Sequence, residues 1–189
     1  PVVETIAGKG GLTHDHPVHA GPIGIVGSTS ANALAKEADV ILAIGTRLQD
    51  FTTGSWTAFA EDARFISVNA ARFDAIKHRS LAVIGDALET IGELDAALGD
   101  YAADAGLMKR AKTLFAEWNK LLDDHQAPTN ELVPSYAQVV GVLNKVAGPN
   151  DTLIAAAGGT PGEVTKGWRV KNPNTFDCEF GLSCMGYEI

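Results

Sequence analysis

Cysteine is scarce: Cys178 and Cys184 are the two in a chain of 189 residues. Two thiols cannot build a disulfide framework, and neither stands in paired zinc-ligand spacing, so the chain is read as one from a reducing, cytoplasmic compartment. Long apolar runs are missing as well. Stretches such as Val40–Ile44 fall far short of the roughly 20 residues that a membrane-crossing helix needs, which predicts no membrane partner. There is no initiator Met and no basic segment leading into an apolar one, so Pro1-Val2-Val3 is read as a cut inside a larger protein and not as a secretory leader. Basic residues are the minority, 15 against 23 acidic, with a net charge of −8. Phosphate backbones are bound by clustered Lys and Arg, and no basic run here exceeds a pair, so a nucleic-acid partner is not expected.

What remains is 46% apolar, enough for a buried core and read as one domain plus part of another. Short apolar runs at residues 1–4, 40–44, 65–68 and 81–84 alternate with helical patterns. Such alternation predicts an α/β fold, a doubly wound parallel sheet of Rossmann-like form, entered partway through and filling residues 1–100. Residues 30–38 carry apolar positions at helical spacing behind Ser28, Thr29 and Ser30, any of which can cap that helix. Leu88, Ile91, Leu94, Ala97 and Leu98 share one helical face that Gly99 terminates. Residues 101–130 read as a linker helix over 108–122 and a polar loop over 123–130. From 131 a second α/β unit begins: a helix opening at Pro134-Ser135-Tyr136, a strand over 152–157, then a glycine- and aromatic-rich stretch to 189 without a closing element. It is read as a truncated cofactor-binding domain.

Several clusters carry possible chemistry. Gly8-Lys9-Gly10-Gly11 follows a strand and offers amides and a charge to a phosphate, but it lacks the P-loop pattern and also reads as a plain turn. Gly21, Gly24 and Gly27 precede a helix at G-x-x-G-x-x-G spacing, which is not the dinucleotide fingerprint and equally suits close packing. His14, His16 and His19 beside Asp15 are spaced to share a metal, yet no Cys or Glu nearby completes a ligand set, and an exposed polar loop is the alternative. Cys184 has no histidine after His125 to activate it as a nucleophile. Gly158-Gly159-Thr160 ends a strand, where open α/β sheets hold ligands and free amides meet phosphate oxygens; an ordinary strand-to-helix turn is the alternative. The run 181–186, with Ser183, Cys184 and Met185, has small residues around one flexible thioether, suited to a flat apolar ligand or to a core.

The order of these motifs resembles a known family. Pro1-Val2-Val3-Glu4-Thr5 with Gly8-Lys9-Gly10, His16-Pro17, the run 38–47 and Gly85-Asp86-Ala87 are similar to the middle domain of thiamine-diphosphate enzymes of the acetolactate synthase and pyruvate oxidase type. Residues 181–186 are similar to the start of their cofactor-binding domain, where the family shows G-L-G-T-M-G. Acetolactate synthases carry Gly-Gln-His after the strand where this chain has Gly158-Gly159-Thr160, and that departure points to the branch that opens a cyclic 1,2-diketone to 5-deoxyglucuronate in inositol catabolism.

The resemblance implies a hydrolase that cleaves a carbon–carbon bond, with thiamine diphosphate as electron sink and Mg2+ as its metal. It places Gly158, Gly159 and Thr160 at the diphosphate and Ser183, Cys184 and Met185 along the cofactor rings. It supplies no catalytic residue and no metal ligand from within this chain: Gly85-Asp86-Ala87 is not the family's magnesium motif, and the activating glutamate belongs to another domain. These residues alone are therefore expected to be inactive, in a protein that works as a homo-oligomer on a small-molecule cyclic diketone. An acetolactate-synthase-like lyase or carboligase and a non-catalytic nucleotide-binding module are the alternatives. Against the latter, Val68-Asn69-Ala70-Ala71 departs from the Asp-rich strand end of nucleotide-holding relatives.

Overall fold

The computed structural model describes residues 1–179, 181–182 and 184–189. The strands are β1 (Val2–Glu4), β2 (His19–Pro22), β3 (Val40–Ile44), β4 (Arg64–Asn69), β5 (Leu81–Ile84), β6 (Leu153–Ala155) and β7 (Phe176–Cys178). The helices are α1 (Thr29–Glu37), α2 (Asp50–Thr53), α3 (Arg72–Ala75), α4 (Ala87–Leu98), α5 (Ala105–Gln126), α6 (Tyr136–Val146) and α7 (Thr160–Gly167). Every strand pair is parallel, and helices connect the strands, so the chain has the α/β fold that its alternating pattern implies. The strands hydrogen-bond in three groups: β1 with β2, β3-β4-β5 in that order, and β6 with β7.

Local chemistry fixes the ends of the helices. Ser28 caps α1, its Oγ accepting from the Ala31 amide at 3.1 Å, which satisfies one of the donors that a helix start leaves open. Asp86 caps α4 in the same way, bonding the Leu88 and Glu89 amides. Ser135 and Gln138 form a reciprocal capping box at the start of α6, the device that Pro134-Ser135 foreshadows.

Strand β2 has no counterpart in the apolar runs of the sequence. His19-Ala20-Gly21-Pro22 lacks β-branched residues, yet all four positions are buried and β1 pairs with them. Burial here comes from tertiary packing, because Ala20 sits with Leu34 of α1 and Ala111 of α5. The polar run from 123 onward, expected as a loop, is a correction: α5 continues to Gln126. Its last turns stay helical because Leu122 and Gln126 are buried, and Gln126 donates to the Gly167 carbonyl at 3.0 Å. Gly141 of α6 lies so close to this turn that a Cβ there would stand 2.7 Å from the Gln126 carbonyl oxygen. The stretch from 160, read as ending without a closing element, holds α7 and β7, and β7 pairs with β6 with Ala155 opposite Cys178.

One core lies beneath β3 and β4, with Ile23, Ala31, Ala43, Leu48, Phe59 and Phe65. A second lies between α6, α7 and β6-β7, with Val140, Ala155, Val164, Trp168, Val170 and Phe176. Among the described residues, no helix is long and apolar enough to cross a membrane.

Candidate functional site

The turn from β6 into α7 is made of glycine for reasons visible in the backbone. Gly158 has φ +97°, a region that L side chains rarely adopt. A Cβ on Gly159 would lie 2.8 Å from the Tyr136 ring, whose place beside the turn is not readable from sequence. Both glycines are exposed, and α7 starts without a side-chain cap. Among the described residues no side chain caps this turn, an arrangement that fits a diphosphate group.

Two further candidates from the sequence sit in the terminal stretch. Glu179 holds it in shape, with one carboxylate oxygen accepting from the Leu182 amide at 3.0 Å and the other from the Cys184 amide at 3.2 Å. Tyr187 donates its hydroxyl to Asp177 at 2.6 Å, and the Ala156 amide donates to Glu188 at 2.9 Å. The stretch therefore folds back over the carboxyl ends of β6 and β7, the same end of the sheet at which Gly158, Gly159 and Thr160 lie. Cys184 is exposed and Met185 is 88% exposed. Ser183 lies outside the described residues. None of the hydrogen bonds among the described residues links Cys184 or Met185 to the 158–160 turn.

Residual desolvation and the Glu179 carboxylate hold the Cys184 thiol above its ordinary value, the opposite of an activated nucleophile. Burial, with Asp177 and Glu179 nearby, pushes the Cys178 thiol up to about 11. Among the described residues, no group of three or more His, Cys, Asp or Glu is placed to hold a metal.

The histidine and lysine motifs near the start of the chain form something else. Glu4 is buried at the end of β1, where His19 Nε2 approaches its Oε2 at 3.0 Å and the Gly10 and Leu12 amides donate to its Oε1 at 3.3 Å. The other ring nitrogen of His19 lies 3.2 Å from the His14 carbonyl. Both partners of the ring, the Glu4 carboxylate and the His14 carbonyl, are acceptors. Burial works to raise the Glu4 carboxyl, but the His19 contact, Lys9 and the Leu12 amide together hold it below its ordinary value.

Lys9 is buried, with its ammonium 5.6 Å from the centre of the Phe176 ring, and burial lowers it to about 8 against the opposing pull of Glu4. His14 packs on Phe115, and its Nε2 lies 2.9 Å from Asn119 Oδ1. Burial first, then the charges of Arg169, His19 and Lys9, lower it to about 4.

Lys9 faces inward and is not free for a phosphate, within a hydrogen-bonded turn over residues 6–10, as the plainer reading expects. His14 partners the Asn119 side-chain amide and His19 the Glu4 carboxylate, while Asp15, His16 and Pro17 are exposed. The loop also joins the two cores: Asn174 donates its amide to the Gly10 carbonyl at 2.9 Å, and His14 to that of Val170 at 2.8 Å. Nothing in the spacing of residues marks Glu4 as the hub, because a single acid in an apolar run looks like an exposed position.

The 21-24-27 glycines are packing residues. A Cβ on Gly24 would lie 2.0 Å from the Phe51 carbonyl oxygen, and one on Gly27 2.6 Å from that of Pro22.

Comparison with known proteins agrees with this architecture. Residues 1–94 match the family described as "Thiamine pyrophosphate enzyme, central domain". The whole chain aligns with enzymes named 3D-(3,5/4)-trihydroxycyclohexane-1,2-dione hydrolase. That of Geobacillus thermodenitrificans is 34% identical over 212 residues, and that of Listeria monocytogenes is also 34% identical over 212; each alignment covers 100% of this chain and 33% of the relative. That of Bacillus subtilis is 32% identical over 216 residues, with the same coverage. The chain thus spans about a third of the length of the curated relatives that it matches. Residues 1–94 are thus similar to the central domain of thiamine pyrophosphate enzymes, in keeping with the parallel α/β architecture.

Proposed function

We propose that the full-length protein is a thiamine-diphosphate-dependent hydrolase that cleaves a carbon–carbon bond of 3D-(3,5/4)-trihydroxycyclohexane-1,2-dione, giving 5-deoxyglucuronate in inositol catabolism. The observation that carries this reading is the alignment of the entire chain, at 34% identity, with enzymes of that name. The glycine turn at the end of β6 supports it from the side of the structure.

When bound, thiamine diphosphate supplies a nucleophilic carbon and takes up the electron pair of the breaking bond. In this reading residues 131–189 begin the diphosphate-binding unit. The amides at Gly158, Gly159 and Thr160 hold the diphosphate, with Gly158 and Gly159 keeping side chains out of its way. Cys184 and Met185 would lie along the cofactor rings, Met185 contributing an apolar, adaptable thioether; Ser183, assigned the same role by sequence, lies outside the described residues. Mg2+ and the group that activates the cofactor are held by parts of the protein outside residues 1–189. The protein is cytoplasmic and homo-oligomeric, and its substrate is a small cyclic diketone.

The test is an assay of full-length protein with the dione and, separately, with pyruvate, each with and without thiamine diphosphate and Mg2+. Consumption of the dione only when the cofactor and metal are present is the expected result. Turnover of pyruvate to acetolactate, or of the dione without the cofactor, would overturn the reading.

A further inference from the structure

Helices α6 and α7 run the same way and touch along one ridge of α6. Tyr136, Val140 and Asn144 follow one another at four-residue spacing, which stacks them on a single face. Tyr136 meets Gly159 at the entrance to α7. Val140 shares a core with Val164, and at the far end Asn144 donates to the Gly167 carbonyl at 2.8 Å. The contacts at the two ends are separated by equal lengths of helix, about 12 Å on each, so fixing one end fixes the other. The far end is held firmly. Gln126 also donates to the Gly167 carbonyl, at 3.0 Å, and Asn144 Oδ1 accepts from the Arg169 amide at 2.9 Å. These side chains take up a carbonyl that the end of a helix leaves open, and they keep Tyr136 from sliding off the turn.

The near end is different. The capping box occupies amides at the start of α6: that of Gln138 donates to Ser135 Oγ at 3.2 Å, and that of Ser135 to Gln138 Oε1 at 2.8 Å. What α6 brings to the turn is therefore a side chain, Tyr136. It is 57% exposed, and among the described residues its hydroxyl makes no hydrogen bond. The ring fills the space over Gly159, where a Cβ would stand 2.8 Å from Cε2 and 3.5 Å from the hydroxyl oxygen. Over Gly158 a Cβ would meet nothing within 4 Å. The turn thus has one open side and one aromatic wall, with the phenol oxygen at the rim. Lys166 in the last turn of α7 is already held by Glu163 at 2.7 Å, whereas the phenol is a free donor.

We propose that Tyr136 is a cofactor-binding residue: its hydroxyl donates a hydrogen bond to the diphosphate seated over Gly158, from a ring that α6 keeps against Gly159. The proposal rests on the reading of residues 158–160 as the diphosphate turn. A phenol suits the task. Its ring packs on bare glycine backbone, and its O–H reaches past the ring to a phosphate oxygen, an anionic acceptor that makes a short, strong bond. The same ring accounts for glycine at 159, because the wall of the pocket there comes from α6 and leaves no room for a side chain on the turn itself. A tyrosine that only covered Gly159 would gain nothing from its hydroxyl, and phenylalanine would serve as well. That contrast is the test.

Thiamine diphosphate is titrated calorimetrically, with Mg2+ present, into cofactor-free full-length protein, as wild type and as Tyr136→Phe. The variant keeps the ring over Gly159 and loses only the donor. Binding about tenfold weaker is expected, the usual effect of one hydrogen bond to a charged group. Affinity within about twofold of wild type overturns the assignment. Inorganic pyrophosphate, titrated with Mg2+ alone, separates the phosphates from the cofactor rings. The same loss of about tenfold is expected for it, and an unchanged affinity would take Tyr136 away from the phosphates and refute the proposal. Melting temperatures of the two cofactor-free proteins should agree within about 2 °C; a larger fall would assign the hydroxyl to the fold and not to the site. Wild type that binds no thiamine diphosphate would overturn the diphosphate reading as a whole, whereas equal affinities in wild type and variant would remove only Tyr136 from it.

Discussion

The loop after β1, Gly8-Lys9-Gly10-Gly11, and the turn after β6, Gly158-Gly159-Thr160, share glycine content and a place at the carboxyl end of a parallel strand, yet the protein uses them differently. In the first, Glu4 takes the Gly10 and Leu12 amides, Lys9 is buried against Phe176, and the loop carries hydrogen bonds between the two cores. In the second, no side chain among the described residues caps the turn, and a Cβ at Gly158 would meet nothing within 4 Å. The lesson is that a glycine-rich strand end serves a ligand only where the protein's own carboxylates leave its donors open. The first turn should therefore register in stability and the second in cofactor binding.

Glu4→Ala gives the largest expected effect. It strands the His19 ring and two amides in a buried site, so a loss of about 3–5 kcal/mol is expected in denaturant melts. A loss under 1 kcal/mol would put the two turns on the same footing. Acid is the next lever. The folded-state value of His14, about 4, lies below that of an unfolded histidine, about 6.5. The unfolded state thus binds the extra proton first, and the stability contribution, complete above pH 6.5, is lost as pH falls through 6.5 towards 4. About 2–3 kcal/mol is expected over that window, and His14→Gln should flatten the slope.

A matched pair sharpens the comparison directly. Gly10 has φ +95° and a Cβ there would come 3.2 Å from that of Phe176, whereas Gly158 has φ +97° and open space. Gly10→Ala should therefore cost about 2 kcal/mol, from strain and the displaced ring, and Gly158→Ala about 1 kcal/mol from strain alone. Only Gly158→Ala should weaken thiamine diphosphate binding by the full-length protein, as read by calorimetric titration. The smallest effect has the opposite sign. The value of Lys9, about 8, lies below that of an unfolded lysine, about 10.4, so stability rises with pH between the two and charging the buried amine costs stability at pH 7. Lys9→Met should raise the midpoint at pH 7 by about 1 kcal/mol and remove that alkaline rise.

Much of the fold was legible. Val40–Ile44, Leu81–Ile84 and Ala87–Leu98 fall where their apolar runs and helical periodicity put them, because those patterns are local to a single element. β2 and the end of α5 were not legible. His19-Ala20-Gly21-Pro22 becomes a strand, and residues 123–126 stay helical, through neighbours far away in sequence: Leu34 and Ala111 for the one, Gly141 and Gly167 for the other. In the candidate site, the Gly158-Gly159-Thr160 turn was visible as glycine after a strand. The places of Tyr136 beside it and of the Glu179 carboxylate that shapes the terminal stretch were not, since both depend on contacts that no motif encodes.

By itself, the sequence determined the parallel α/β class, the family resemblance and most element boundaries, because these follow from local periodicity, caps and motif order. Only the tertiary structure decided what the polar residues do. Whether Lys9 meets a phosphate or a phenyl ring, and whether His19 meets a metal or Glu4, depends on desolvation and on partners brought from elsewhere in the chain; no spacing along the sequence encodes either.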